Sequence, residues 1–191
     1  MTWGANMICS GSLPPRKIFP MPNHPFLVHL PLALALVLPV LSCGLLIAIW
    51  RGGLPTRAWF ISLALQVVLT GTGFVAMESG EEEEERVEEI VPHDAMEDHE
   101  EMGERFAKGN VPVLLLTLLP LAIFRTRKNR QLVLMAAGCC AMAISALFAF
   151  NTGQSGGALV YQHQAARAYA PATANPDSAP AASHDEHDQH D

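Results

Sequence analysis

Charge is scarce in this chain. Only 16% of its 191 residues are Asp, Glu, Lys or Arg, and none of those lies in four apolar blocks, 26–50, 58–77, 111–124 and 132–150. Such a distribution excludes an ordinary soluble domain, whose apolar and charged residues interleave along every amphipathic element. Catalytic signatures are missing too: there is no phosphate loop, no nucleophile elbow and no His-Glu-x-x-His pair. The chain is therefore not expected to be an enzyme on its own. It also has no Cys-x-x-Cys, and three of its four cysteines, Cys43, Cys139 and Cys140, fall within apolar blocks. Buried free Cys behaves as a small hydrophobe, so these are read as packing residues and not as a disulfide framework. The net charge of -7 disfavours nucleic acid as a partner.

What is present is hydrocarbon in long runs. A membrane-spanning helix needs about 20 mostly apolar residues. Blocks one, two and four reach that length. The third, "VPVLLLTLLPLAIF", has 14 and borrows its first turns from the polar segment before it. The expected fold is all-α: an integral membrane four-helix bundle with an acidic helical hairpin outside the membrane between helices two and three. The short loops "RGGLPTR" and "RTRKNR" carry the basic residues. Cytoplasmic loops are rich in Lys and Arg, which predicts both termini and the acidic segment on the periplasmic side of a bacterial inner membrane.

Three regions follow: an irregular leader over 1–21, a membrane domain over 22–167, and a tail over 168–191 whose Ala, Pro, Ser and Asp read as disordered. Met21 is an alternative start. The first apolar run is longer than a signal-peptide core and is interrupted by His29 and Pro31, so cleavage is not expected. Helix one is predicted to begin near Pro25, because proline suits the first helical position. In the hairpin, Asp94 and Glu97 fit a capping box. Met96, His99, Gly103 and Phe106 recur at the spacing of one helical face. Pro112 is expected to kink the helix that follows. Gly156–Gly157 are expected to break helix four and turn the chain back over the outer mouth. No internal repeat is legible in the residues.

The histidines gather on the predicted outer side: His24 and His29 at the start of helix one, His93 and His99 in the hairpin, His163 after helix four. Ionisable residues at membrane depth tend to mark function, and histidine is a common ligand of metals and of haem iron. His29 is expected one turn into helix one, facing the bundle or bonded to Glu78. His184, His187 and His190 in the tail form a cluster suited to a divalent metal. The Glu81–Glu85 run lacks the turn glycine and spaced oxygens of a calcium loop and reads as a solvated helix face.

The residues "HPFLVHLPLAL" at helix one, "SGEEEEERVEEIVP" in the middle and "GGALVYQH" after helix four resemble a bacterial membrane family, that of domain of unknown function 2231, over roughly residues 22 to 165. The resemblance implies four membrane helices, with His24, His29 and His163 as motif histidines and His99 as the counterpart of a histidine before helix three. It also implies haem or metal binding. The family motif ends His-Gly, whereas Gln164 follows His163 here. On this reading the chain is a membrane-anchored b-type haem protein for electron transfer or an accessory role, ligated from among His29, His99, His163 and His24. Its partners would be the lipid bilayer and a periplasmic or membrane redox protein, with a homo-oligomer left open. The alternatives are a copper or zinc protein, with Met96 or Met102 adding a thioether, and a cofactor-free structural subunit.

Overall fold

A computed structural model describes residues 24–88, 90–123 and 128–169. The described residues are helical almost throughout: α1 His24–Leu27, α2 His29–Trp50, α3 Phe60–Val87, α4 His93–Ala122 and α5 Lys128–Tyr161, with 3-10 turns at Thr56–Trp59 and Ala165–Tyr169. The leader 1–21, the tail histidines and the first half of "RTRKNR" lie outside them.

Helix one does begin at the His-Pro step, but it is broken. Pro31 has no N–H for the Leu27 carbonyl, and its ring crowds that carbonyl. The chain therefore makes one turn as α1, interrupts its helical bonding at Val28, whose backbone stays in the helical region, and restarts as α2. The hairpin's second arm runs straight into the membrane helix: α4 is one continuous helix across Pro112 and Pro120. It begins one residue before the predicted cap. Pro92, extended at ψ 134°, is the residue before the helix, and no side chain caps it, so the Asp94–Glu97 box does not form. Asp94 still lies in the first turn, where a negative charge suits the helix dipole. Two exposed i,i+4 ion pairs, Glu101–Arg105 and Glu104–Lys108, line the arm's outer side.

The four long helices pack in ring order. Helix α2 touches α3 and α5, and α4 touches the same two, so α2 lies diagonal to α4. Three of the helical stretches, in α2, Thr56–Glu81 and α5, are long and apolar enough to cross a membrane. The fourth passage is the apolar half of α4. The distribution of polarity confirms the solvent. Outward-facing side chains such as Val37, Val40, Leu115, Val133 and Leu147 are apolar and exposed, while Ser42, Ser62, Gln66, Asn110, Thr117 and Ser145 are buried. Lipid offers no hydrophobic drive for helix association, so close packing and interhelical hydrogen bonds carry it.

Those bonds are present. Ser42 donates to Ser62 at 2.9 Å, and the Trp59 indole N–H donates to the Thr117 carbonyl at 3.0 Å. At mid-bundle the Asn110 Oδ1 accepts from Gln66 Nε2 at 3.0 Å and from Ser145 Oγ at 2.9 Å, joining three helices. Around this layer pack Ala35, Leu38, Leu69, Phe106 and Met142; below it, Ile49, Trp59, Leu121 and Met135.

A two-fold internal relation emerges that the residues alone do not announce. His99 stands 75 residues after His24. The same step carries Pro31, Ala35, Leu38 and Ser42 of α2 onto Phe106, Asn110, Val113 and Thr117 of α4, and all eight are buried. A step of 76 carries Trp59, Ser62, Gln66, Leu69 and Gly73 onto Met135, Gly138, Met142, Ser145 and Ala149, again all buried. The chain is two helix pairs in the same orientation, related about an axis along the bundle, the arrangement known for parallel repeats in membrane proteins.

Candidate functional site

The outer end of the bundle brings two imidazoles together. His24 of α1 and His99 of α4 meet with ring centroids 6.4 Å apart and planes at 84°. They come from diagonal positions, so the pair lies where the two-fold axis leaves the bundle. Both are half-buried.

Each ring is held by the same device. His24 Nδ1 bonds the Ser79 hydroxyl at 2.9 Å, and His99 Nδ1 bonds the Ser155 hydroxyl at 2.8 Å. The next residue in each case is glycine. A Cβ on Gly80 would lie 3.2 Å from His24 Cε1, and one on Gly156 would lie 2.9 Å from His99 Cε1. A side chain at Gly156 would force the ring to shift and one at Gly80 would crowd it, since both rings lie against helix backbone. The two histidine–serine links span 55 and 56 residues of chain, which is the internal relation again.

The serine hydroxyls bear on the tautomer. Ser79 Oγ donates to the Ala76 carbonyl at 2.8 Å, and Ser155 Oγ donates to the Thr152 carbonyl at 2.9 Å. A hydroxyl has one proton to give. A serine that gives it to the carbonyl accepts from its histidine, and in that arrangement Nδ1 of the neutral ring carries the proton and Nε2 is the basic nitrogen. Burial, and secondarily the neighbouring His24, push the His99 pKa below its ordinary value.

The remaining predicted histidines fall elsewhere. His29 is exposed and does not face the bundle: the buried stripe of α2 runs through Pro31, Ala35, Leu38 and Ser42, and a residue two before Pro31 lies on the opposite side of a 3.6-residue helix. His93 is exposed at the start of α4. His163 is half-buried in the turn after α5. Helix α5 does not break at Gly156–Gly157 but continues to Tyr161, because Gly156 is needed within the helix as the seat for His99. The reversal comes at Gln162 and His163, whose N–H groups both bond the Ala158 carbonyl. Gln164 takes the left-handed conformation, φ 58°, at the position where the motif's glycine would stand. Ala165 then packs on Val91 and Met96, one helical turn beyond His99. Tyr161 is exposed.

Sequence reading missed Ser79, Gly80, Ser155 and Gly156. Their only advance signal is the Ser-Gly dipeptide recurring 76 residues apart at the outer end of two apolar blocks.

Lipid-facing apolar helices around an interior that holds buried polar groups, with paired histidines at one end, define a multi-pass helical membrane protein. The family model described as predicted membrane protein (DUF2231) matches residues 20–168. The chain belongs to that family. No curated protein and no solved structure matches it.

Proposed function

We propose that this membrane protein binds b-type haem at its outer end, as a cytochrome-like electron-transfer or accessory subunit, with His24 and His99 as axial ligands. The observation that carries this reading is the pair itself: two imidazoles on diagonal elements, each with Nδ1 committed to a serine. A metal between two imidazole nitrogens, about 2 Å from each, would place ring centroids roughly 6 Å apart, close to the 6.4 Å found.

The donor set favours haem over a bare ion. A structural zinc takes four protein ligands and a catalytic one three, whereas haem asks the protein for two axial ligands at most. Among the described residues no group of three His, Cys, Asp or Glu side chains could hold an ion. Bound haem would supply one-electron chemistry, tuned by its axial ligands, their hydrogen bonds and burial. The chain's own groups would orient the two imidazoles and keep their Nε2 atoms basic.

Arg51 and Arg57 lie at the other end of the bundle, in and beside the turn between α2 and α3, and basic loops face the cytoplasm. The histidine end would then face the periplasm of a bacterial inner membrane, within reach of a periplasmic or membrane redox partner. The test is a dithionite-reduced minus oxidised visible spectrum of the full chain, purified in mild detergent after haem-replete expression, with metal analysis on the same sample. Haem bands that survive His29→Ala and His163→Ala but vanish in His24→Ala and in His99→Ala are expected. Loss in His29→Ala would move the ligand assignment. No haem together with stoichiometric copper or zinc would replace the reading with a metal site.

A further inference from the structure

We propose that Ser79–Gly80 and Ser155–Gly156 are two equivalent positioning pairs, one per half of the internal repeat, that present His24 and His99 through Nε2 to a single shared ligand. The inference rests on the reading of the histidine pair as a ligand site, but its structural core can be tested without any ligand.

First, each serine hydroxyl lies within bonding distance of the carbonyl three residues back as well as of its ring, and a serine that gives its one proton to that carbonyl can only accept from the ring. A serine that only accepts selects the Nδ1–H tautomer. Hydrogen bonding of one ring nitrogen is the general means by which a protein chooses which nitrogen binds a metal. Second, the glycines determine where the ring can lie. With Cβ positions at 3.2 and 2.9 Å from Cε1, a larger residue at Gly80 would press the His24 ring by a few tenths of an ångström and one at Gly156 would force the His99 ring to shift. Third, the two sets are related by the same step that relates the buried faces of the helices, so their likeness belongs to the whole bundle. Two half-sites about one axis fit a ligand that takes two like nitrogens from opposite sides, and a planar macrocycle with two axial positions is such a ligand.

The roles divide cleanly. The histidines would touch the ligand; the serines and glycines act through them. Outer-shell partners of ligating histidines typically contribute ten- to hundredfold in affinity. Each serine should contribute on that scale.

The test uses the full chain in detergent micelles with 15N-labelled histidine, at a pH well above the ordinary histidine pKa of about 6.5. Long-range proton–nitrogen correlations report the tautomer, and His24→Ala and His99→Ala assign the two rings. Both rings should appear as Nδ1–H. Ser79→Ala should return His24 alone to the mixture of a free imidazole, Ser155→Ala should do the same to His99 alone, and Ser155→Thr should restore the wild-type signature. An Nε2–H ring in the wild type overturns the proposal, as does a serine substitution that leaves its ring unchanged. Titration with haemin on the same variants separates the two ideas. If wild type binds and both serine variants bind about ten- to hundredfold more weakly, the positioning role holds. Unaltered binding and midpoint potential in the variants sinks it. If wild type binds no haemin while the tautomers are as expected, the haem reading falls and the positioning pairs stand.

Discussion

Adjacent glycines in α5 should respond to alanine with opposite signs. A Cβ on Gly156 would stand 2.9 Å from His99 Cε1, whereas one on Gly157 meets nothing within 4 Å. Ordinary carbon–carbon contacts sit at about 3.5–4.0 Å, so Gly156→Ala must push the imidazole away by roughly 0.6–1.1 Å. The 2.8 Å bond from His99 Nδ1 to Ser155 then stretches past the useful range of about 3.2 Å. Overpacking costs about 1–3 kcal/mol, and the lost hydrogen bond adds about 0.5–1.5 kcal/mol. Against that, replacing a helix-interior glycine by alanine gains about 0.5–1 kcal/mol. The net is a destabilisation of about 0.5–4 kcal/mol for Gly156→Ala and a gain of up to about 1 kcal/mol for Gly157→Ala. Gly80→Ala, with its contact at 3.2 Å, should fall between them.

Unfolding of the three variants in mixed micelles, followed by far-ultraviolet circular dichroism, gives the order directly. The expected ranking is Gly157→Ala above wild type, then Gly80→Ala, then Gly156→Ala. If Gly156→Ala equals or exceeds Gly157→Ala, the His99 ring is not seated on α5 and the geometry of the pair is wrong. A shift in haem binding should follow the same order, since a ligand site tolerates only about 0.5 Å of misplacement.

Three further outcomes are expected. Gln164→Gly should stabilise the chain by about 1 kcal/mol, because a left-handed backbone costs an L-residue roughly 1–2 kcal/mol and glycine almost nothing; a lower midpoint in the same unfolding assay would refute it. Asn110→Ala should cost about 1–2 kcal/mol, since it strands the Gln66 amide and the Ser145 hydroxyl at once. Gln66→Met should cost less, because the Gln66 Oε1, which finds no donor among the described residues, is removed along with the bond. Stability should also fall as pH drops through the region below 6.5. The folded pKa of His99 is lowered, so the unfolded chain binds the proton first and gains from acid. Above the unfolded pKa the effect is absent, and it saturates once pH falls below the folded value. His99→Asn should flatten that slope between neutrality and the onset of carboxylate titration, measured as unfolding free energy against pH.

How much of this was legible in the residues follows from what each signal encodes. Four membrane helices and the extramembrane arm are written in composition, since apolar runs of membrane length have few other uses. The meeting of His99 with another element was legible as a seam position beside Met96 and Phe106. Which histidine it meets was not. His24, seven residues before Pro31, keeps the buried face across the break at Val28 and bonds Ser79 of α3, whereas His29 falls on the exposed side. A proline inside an apolar run signals a break but not whether the helical phase survives it. Gly156–Gly157 were misread for a similar reason. Glycine relaxes the backbone and also vacates space, and only the neighbour's position decides which use applies. The internal repeat stayed hidden because lipid-facing positions are interchangeable among Val, Leu, Ile and Phe, so the relation survives in burial and in the recurring His, Ser and Gly of the outer end.

The two halves agree at the outer end and disagree at the centre, and the difference is itself informative. His, Ser and Gly recur in both halves around the pair. At mid-bundle the related positions are Ala35 with Asn110, Gln66 with Met142 and Leu69 with Ser145, polar on one side of each relation and apolar on the other. A bundle of two like halves could pack its helices in more than one register. Polar groups in a lipid-soluble core discriminate strongly, because each wrong register leaves an amide or hydroxyl unpaired. The Gln66–Asn110–Ser145 set closes only when α3, α4 and α5 meet in the observed order. Asymmetry at the centre thus fixes one assembly, and that assembly delivers the symmetric pair to the outer end. Replacing Asn110 should therefore disturb the histidine site from a distance: in Asn110→Ala the two ring tautomer signals are expected to broaden or split, whereas Gln131→Ala, which removes only exposed or half-buried bonds to the Pro120 and Ile123 carbonyls, should leave them sharp.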